Sequence, residues 1–168
     1  MPDKDFLRAM ETGDVTVDNL KQLKGYPNSP MFDYDGTQVI HIAAKYGCTN
    51  LVENLLDDNA DVNVIDRFKW TPLHYAVSSV STGIIPLERR DTSDTVRLLL
   101  ARGADVNAKT AYGKCTPVHF AAGVHYPNKA TADALLEYGA DMEMPDAQGE
   151  TPEELAVRFG NRAFLDRE

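Results

Sequence analysis

The chain has 168 residues, 43% of them apolar and 26% charged, a length that suits one domain and a balance that excludes collagen-like, low-complexity and wholly disordered classes. Seventeen Lys and Arg against 26 Asp and Glu leave a net charge of −9, so nucleic-acid phosphates would be repelled rather than neutralised. No apolar run approaches about 18 residues, and charges interrupt Met1 to Met10 where a secretory signal would be hydrophobic, so neither a membrane nor a secretory route is expected. Cys48 and Cys115 form no CxxC pattern and no Asn-x-Ser/Thr sequon occurs, which places the chain in a reducing compartment, cytoplasmic or nuclear.

In chain order, the first strong pattern is Val39, Ile40, Ala43 and Ala44 at helical spacing, broken at Gly47 and followed by a second stripe of Leu51, Val52, Leu55 and Leu56. This predicts two short antiparallel helices, neither able to bury its apolar face alone. Thr71-Pro72, Thr116-Pro117 and Thr151-Pro152 each put a side-chain oxygen at an N-cap and proline at the first helical position, which marks three further helix starts. Ala43-Ala44 and Ala121-Ala122 are small, as close helix approach requires.

The pattern repeats. Gly36-Thr-Gln-Val-Ile-His41-Ile-Ala-Ala, Lys69-Trp-Thr-Pro-Leu-His74-Tyr-Ala-Val and Cys115-Thr-Pro-Val-His119-Phe-Ala-Ala are each followed by a second match. Those matches are Leu55-Leu56 with Asn59-Ala-Asp-Val-Asn63, Leu99-Leu100 with Gly103-Ala-Asp-Val-Asn107, and Leu135-Leu136 with Gly139-Ala-Asp-Met-Glu143. His41 and His74 are 33 residues apart, and the longer spacing of 45 to His119 contains 11 residues added between His74 and Leu99 and one before Thr116.

This pattern resembles the ankyrin repeat, a β-turn and two helices with a Thr-Pro-Leu-His-x-Ala start. The resemblance implies an all-α ankyrin-repeat solenoid of stacked helix pairs with β-hairpin-like tips. The expected division is a degenerate capping repeat at 1–32, carrying Phe6, Leu7, Val17 and Leu20, and a repeat at 33–65. A repeat at 66–109 follows with a long insert near 79–92, then one at 110–145 with a short insert near 125–129, and a C-terminal cap at 146–168. In the last, Glu153 and Glu154 replace Leu and His, the polar outer face that a solenoid end needs. The chain stops at Glu168, just after the last helical pattern, as expected of a module within a longer chain.

His41, His74 and His119 invite a metal or catalytic reading. They occupy the same position in successive repeats, however, and helices packed about 8 to 10 Å apart hold such side chains too far from one another to share a zinc ion at about 2 Å. The resemblance implies instead that each bonds backbone near the hairpin. Neither cysteine has a His or acid placed to make it a nucleophile, and no phosphate loop, HExxH or GxSxG is present, so no enzyme, metal site or cofactor is expected. An enzyme built on the insert and His125 would need His125 clustered with acids in a deep pocket.

Aromatic and basic residues stand at variable positions: Arg67, Phe68, Lys69 and Trp70 on one tip, Tyr112 and Lys114 on the next, Tyr34 on the preceding one, and Tyr46 at the concave end of a first helix. Trp, Tyr and Arg are enriched among interface hot spots, so these are the candidate partner contacts, with Trp70 first. The competing expectation is that tip aromatics pack on each other, Phe68 above all; Lys69 also stands where this turn usually has glycine. Ile42, Tyr75 and Phe120, each following a repeat His, read as core-edge packing. In the long insert, Ile84, Ile85, Leu87, Arg89 and Arg90 form a possible second surface. Asn63 and Asn107 resemble asparagines hydroxylated in ankyrin proteins.

The expected function is a non-enzymatic protein-binding module that grips a basic or apolar partner through its concave face and tips, as an adaptor or targeting arm. The alternative is a stand-alone stoichiometric inhibitor of a signalling protein or transcription factor. The expected partner is another protein, with no nucleic acid or membrane, and the chain is expected to be a monomer.

Overall fold

The structure, a computed structural model, describes residue 28 and residues 35–78, 91–123 and 128–166. Tyr34, the insert residues Ile84, Ile85, Leu87, Arg89 and Arg90, His125 and nearly all of the expected N-terminal cap lie outside the described residues. The helices are α1 (Val39–Lys45), α2 (Thr49–Asp57), α3 (Pro72–Ser78), α4 (Ser93–Ala101), α5 (Pro117–Ala122), α6 (Lys129–Glu137), α7 (Pro152–Phe159) and α8 (Arg162–Leu165). No strand occurs among the described residues. Each odd-numbered helix packs against its even-numbered successor, and the two sets stack into an inner row, α1–α3–α5–α7, and an outer row, α2–α4–α6–α8.

Corresponding positions in successive helices build the core. Ile40, Leu73 and Val118 in the inner row and Leu55, Leu99 and Leu135 in the outer row have no exposed surface. Burying such a side chain contributes about 1.5 to 3 kcal/mol, and each is covered only when the next repeat stacks on it. Ala43, Ala44, Ala76 and Ala122, at most barely accessible, let neighbouring helices approach.

Helix starts follow the Thr-Pro signal. Thr116 and Thr151 have extended backbone ahead of Pro117 and Pro152. Thr151 Oγ1 accepts the Glu154 N–H at 3.2 Å while Glu154 Oε2 accepts the Thr151 N–H at 2.9 Å, a reciprocal capping box. Helix ends are satisfied between rows. Thr92 Oγ1 donates to Ala76 O at 2.9 Å, and Asn161 Nδ2 donates to the carbonyls of Ala121 and Ala122 at 3.0 and 3.1 Å. Free carbonyls at a helix C-terminus need such donors when no water reaches them.

Two further ladders tie the repeats. Asn63 bridges to the next repeat by donating to Gly103 O and accepting from Asp105 N, and Asn107 does the same with Gly139 O and Asp141 N. The tips are joined by one backbone bond per step, Arg67 N to Asp35 O, Ala111 N to Phe68 O and Ala147 N to Gly113 O, at 2.7 to 2.8 Å.

Candidate binding surface

Asp66 organises the tip between α2 and α3. It is 5% exposed; its Oδ1 accepts the N–H groups of Phe68 at 2.8 Å and Trp70 at 2.9 Å, and its Oδ2 accepts the Tyr75 hydroxyl at 3.0 Å. The turn closes with Asp66 N donating to Trp70 O, and this forces Lys69 to φ 58°, the left-handed conformation that glycine adopts without strain. Burial, followed by the Asp66 charge, pushes the Tyr75 hydroxyl up to about 12 against the opposing Thr37 hydrogen bond, so it remains a donor at neutral pH.

Trp70 turns away from the tip apex. Its ring is half-buried against the inner row, 4.8 Å from Phe120, 5.6 Å from Tyr75 and 5.8 Å from His74 between ring centres. Tyr75 comes from α3 and Phe120 from α5, so the cluster spans two repeats and leaves all three rings partly accessible. Tyr46 caps the C-terminal end of α1 and packs on the core. A seven-residue helix is about 10 Å long, which separates Tyr46 from the tips rather than joining it to them.

The next tip is wider. Thr110 replaces the aspartate, donating through Oγ1 to Tyr112 O at 2.7 Å and accepting the Cys115 N–H at 3.1 Å, and an extra residue puts both Gly113 and Lys114 in left-handed conformations. This lifts Tyr112 to 77% exposure. Phe68 lies 6.1 Å from the Tyr112 ring, with the Arg67 guanidinium 4.5 Å over Phe68. Arg67, Phe68, Lys69, Tyr112 and Lys114 therefore gather on two adjacent tips, beside the Trp70 cluster but distinct from it. Two residues that the motif comparison passes over belong with them: Ile65, 51% exposed, and Lys109, exposed. Both directly precede a tip, the one signal in the sequence that would have found them.

The three histidines cap helices. Backbone N–H groups of Gln38, Thr71 and Thr116 point at Nδ1 of His41, His74 and His119 at 3.0 to 3.1 Å. Accepting there places the proton on Nε2, which faces Val64 O and Trp70 O from His41 and Cys115 O from His74. At His119 Nε2 no acceptor meets hydrogen-bond geometry. Burial lowers all three imidazoles from their usual range, His74 to about 4. Burial also raises the Cys115 thiol, with the Asp146 charge second, which disfavours the nucleophilic thiolate. Among the described residues no group of three or more His, Cys, Asp or Glu is placed to hold a metal ion, and no helix is long and apolar enough to cross a membrane.

The family model described as "Ankyrin repeats (3 copies)" matches residues 6–87 and 87–166. Neurogenic locus notch homolog protein 1 of Homo sapiens is 34% identical over 143 residues, covering 71% of this chain and 6% of that protein. Rabankyrin-5 of Mus musculus is 30% identical over 150 residues, covering 83% of this chain and 12% of that protein. The chain thus spans a small part of the length of the relatives it matches. With its stacked helix pairs, its repeated caps and these matches, the chain belongs to the ankyrin-repeat family, whose members are generally protein-protein interaction modules and typically not enzymes.

Proposed function

We propose that this chain is a non-enzymatic binding module that receives an apolar or basic protein segment along its inner row, at the Trp70 cluster beside the tips, and acts as an adaptor or targeting arm. The observation that carries this reading is the cluster of Trp70, Tyr75 and Phe120, large rings from two repeats held half-accessible by packing and by the Asp66 network. Aromatic anchors of this kind lose little conformational freedom on contact, and a rigid stack pays little ordering entropy. The net charge of −9 favours basic segments over nucleic acids at long range. Cys48 and Cys115 form no disulfide with each other, which accords with a reducing compartment.

The test is affinity capture from lysate with the wild-type chain, with Trp70→Ala and with a variant lacking residues 80–91, each checked for folding by circular dichroism. A partner lost with Trp70→Ala and kept by the deletion is the expected result. Loss with the deletion alone would move recognition to the insert edge and end this reading.

A further inference from the structure

The charge of the two middle tips runs against the charge of the chain. Arg67, Lys69, Lys109 and Lys114 are all exposed. Of the acids in the same segments, Asp66 is buried and accepts three donors, while Asp61 and Asp105, though exposed, accept the N–H groups of Asn63 and Asn107 in the turns after α2 and α4. Arg97, Arg102, Lys129 and Arg158 pair with carboxylates, whereas Lys69, Lys109 and Lys114 make no ion pair among the described residues. Between these cations stand Phe68, Tyr112 and Ile65, the last two being large exposed apolar side chains, on tips locked together by the Ala111 N to Phe68 O bond. Lys69 and Lys114 hold corresponding left-handed positions on the two tips, where glycine would be relaxed and carry no charge. Strain retained at an exposed position points to a use for the side chain.

We propose that these two tips form a second docking site, for an acidic protein segment in which Asp and Glu flank one aromatic or large aliphatic residue. The apolar residue lies on Phe68, Tyr112 and Ile65, and the carboxylates pair with Arg67, Lys69, Lys109 and Lys114, an apolar centre within a charged rim. The site goes beyond the Trp70 surface and takes the opposite charge, so either can fail without the other. A nucleic acid would also meet these cations, but its many phosphates would sit in the field of a chain of charge −9, whereas a short acidic segment needs only the local pairs.

Fluorescence anisotropy with the full chain tests this, using three labelled probes: a short Asp/Glu peptide around one Phe, its Lys/Arg counterpart, and a single-stranded oligoribonucleotide of similar length. The acidic peptide is expected to bind tightest and to weaken as salt rises. Lys69→Gly with Lys114→Gly weakens it about tenfold, as expected for the loss of two charge pairs. The thermal midpoint of that variant stays level or rises, because glycine relaxes both turns, so lost binding is not lost folding. Tyr112→Ser weakens binding as well, and Trp70→Phe leaves it unchanged. The proposal is overturned by no acidic-peptide binding, by tighter binding of the basic peptide or the RNA, by full affinity in the double glycine variant, or by loss with Trp70→Phe.

Discussion

Acidification should destabilise this chain through its buried histidines, and His74 gives the magnitude. Its Nδ1 accepts from the Thr71 N–H and faces the Thr71 hydroxyl at 2.9 Å, and its Nε2 donates to Cys115 O, so adding a proton at Nδ1 breaks the cap and places a charge in the core. Burial holds the imidazole at about 4, whereas an unfolded chain returns it to about 6.5. Below about 6.5 the unfolded state binds more protons than the folded one, so stability falls as pH falls, and the loss levels off below about 4. A difference of this size corresponds to about 3 kcal/mol for His74 alone. His41 and His119 are lowered too and act in the same direction. Urea unfolding followed by far-ultraviolet circular dichroism between neutral pH and pH 4 measures the total. An NMR titration of the His74 ring isolates its share, and His74→Gln removes it. A His74 ring titrating at or above the ordinary imidazole value, or an acid loss unchanged in His74→Gln, would refute the reasoning.

Lys69→Gly alone should raise stability by up to about 1 kcal/mol, because Lys69 sits at φ 58°; a lower urea midpoint would show that its side chain packs usefully. Asn161→Ala should cost about 1 to 3 kcal/mol, since Asn161 is fully buried and donates to two helix-end carbonyls; an unchanged midpoint contradicts that role. Iodoacetamide should alkylate Cys115 more slowly in the folded chain than in urea at neutral pH, because its thiol is raised by burial; equal rates would count against it. If Asn63 and Asn107 are hydroxylated in the native cell, mass spectrometry will find one added oxygen on them. Both amides are engaged at nitrogen and oxygen, so the modification should be slower in the folded stack than in the unfolded chain.

Much of the fold was readable because a repeat states its own rules several times. The apolar positions Ile40, Leu73 and Val118 recur at the spacing of the histidines, and the Thr-Pro starts announce their caps without reference to distant residues. The candidate surface was readable only as a set of variable positions. Trp70 belongs to the tip by spacing, yet its ring joins Phe120, 50 residues further along the chain. Lys69 in place of glycine raises the question of the turn's shape, and only the Asp66 bonds answer it.

Composition by itself determined the net charge, and periodicity determined the stacking order, because each repeat of a solenoid contacts only its neighbours and a local pattern is enough to specify it. The tertiary structure decided which charges face solvent and which rings meet. Asp66 spends its carboxylate on the backbone and Tyr75 while Lys69 and Lys114 point outward, so the tips carry a sign that the sum over the chain conceals. Side-chain direction there follows from hydrogen bonds within each tip and from ring contacts between stacked repeats.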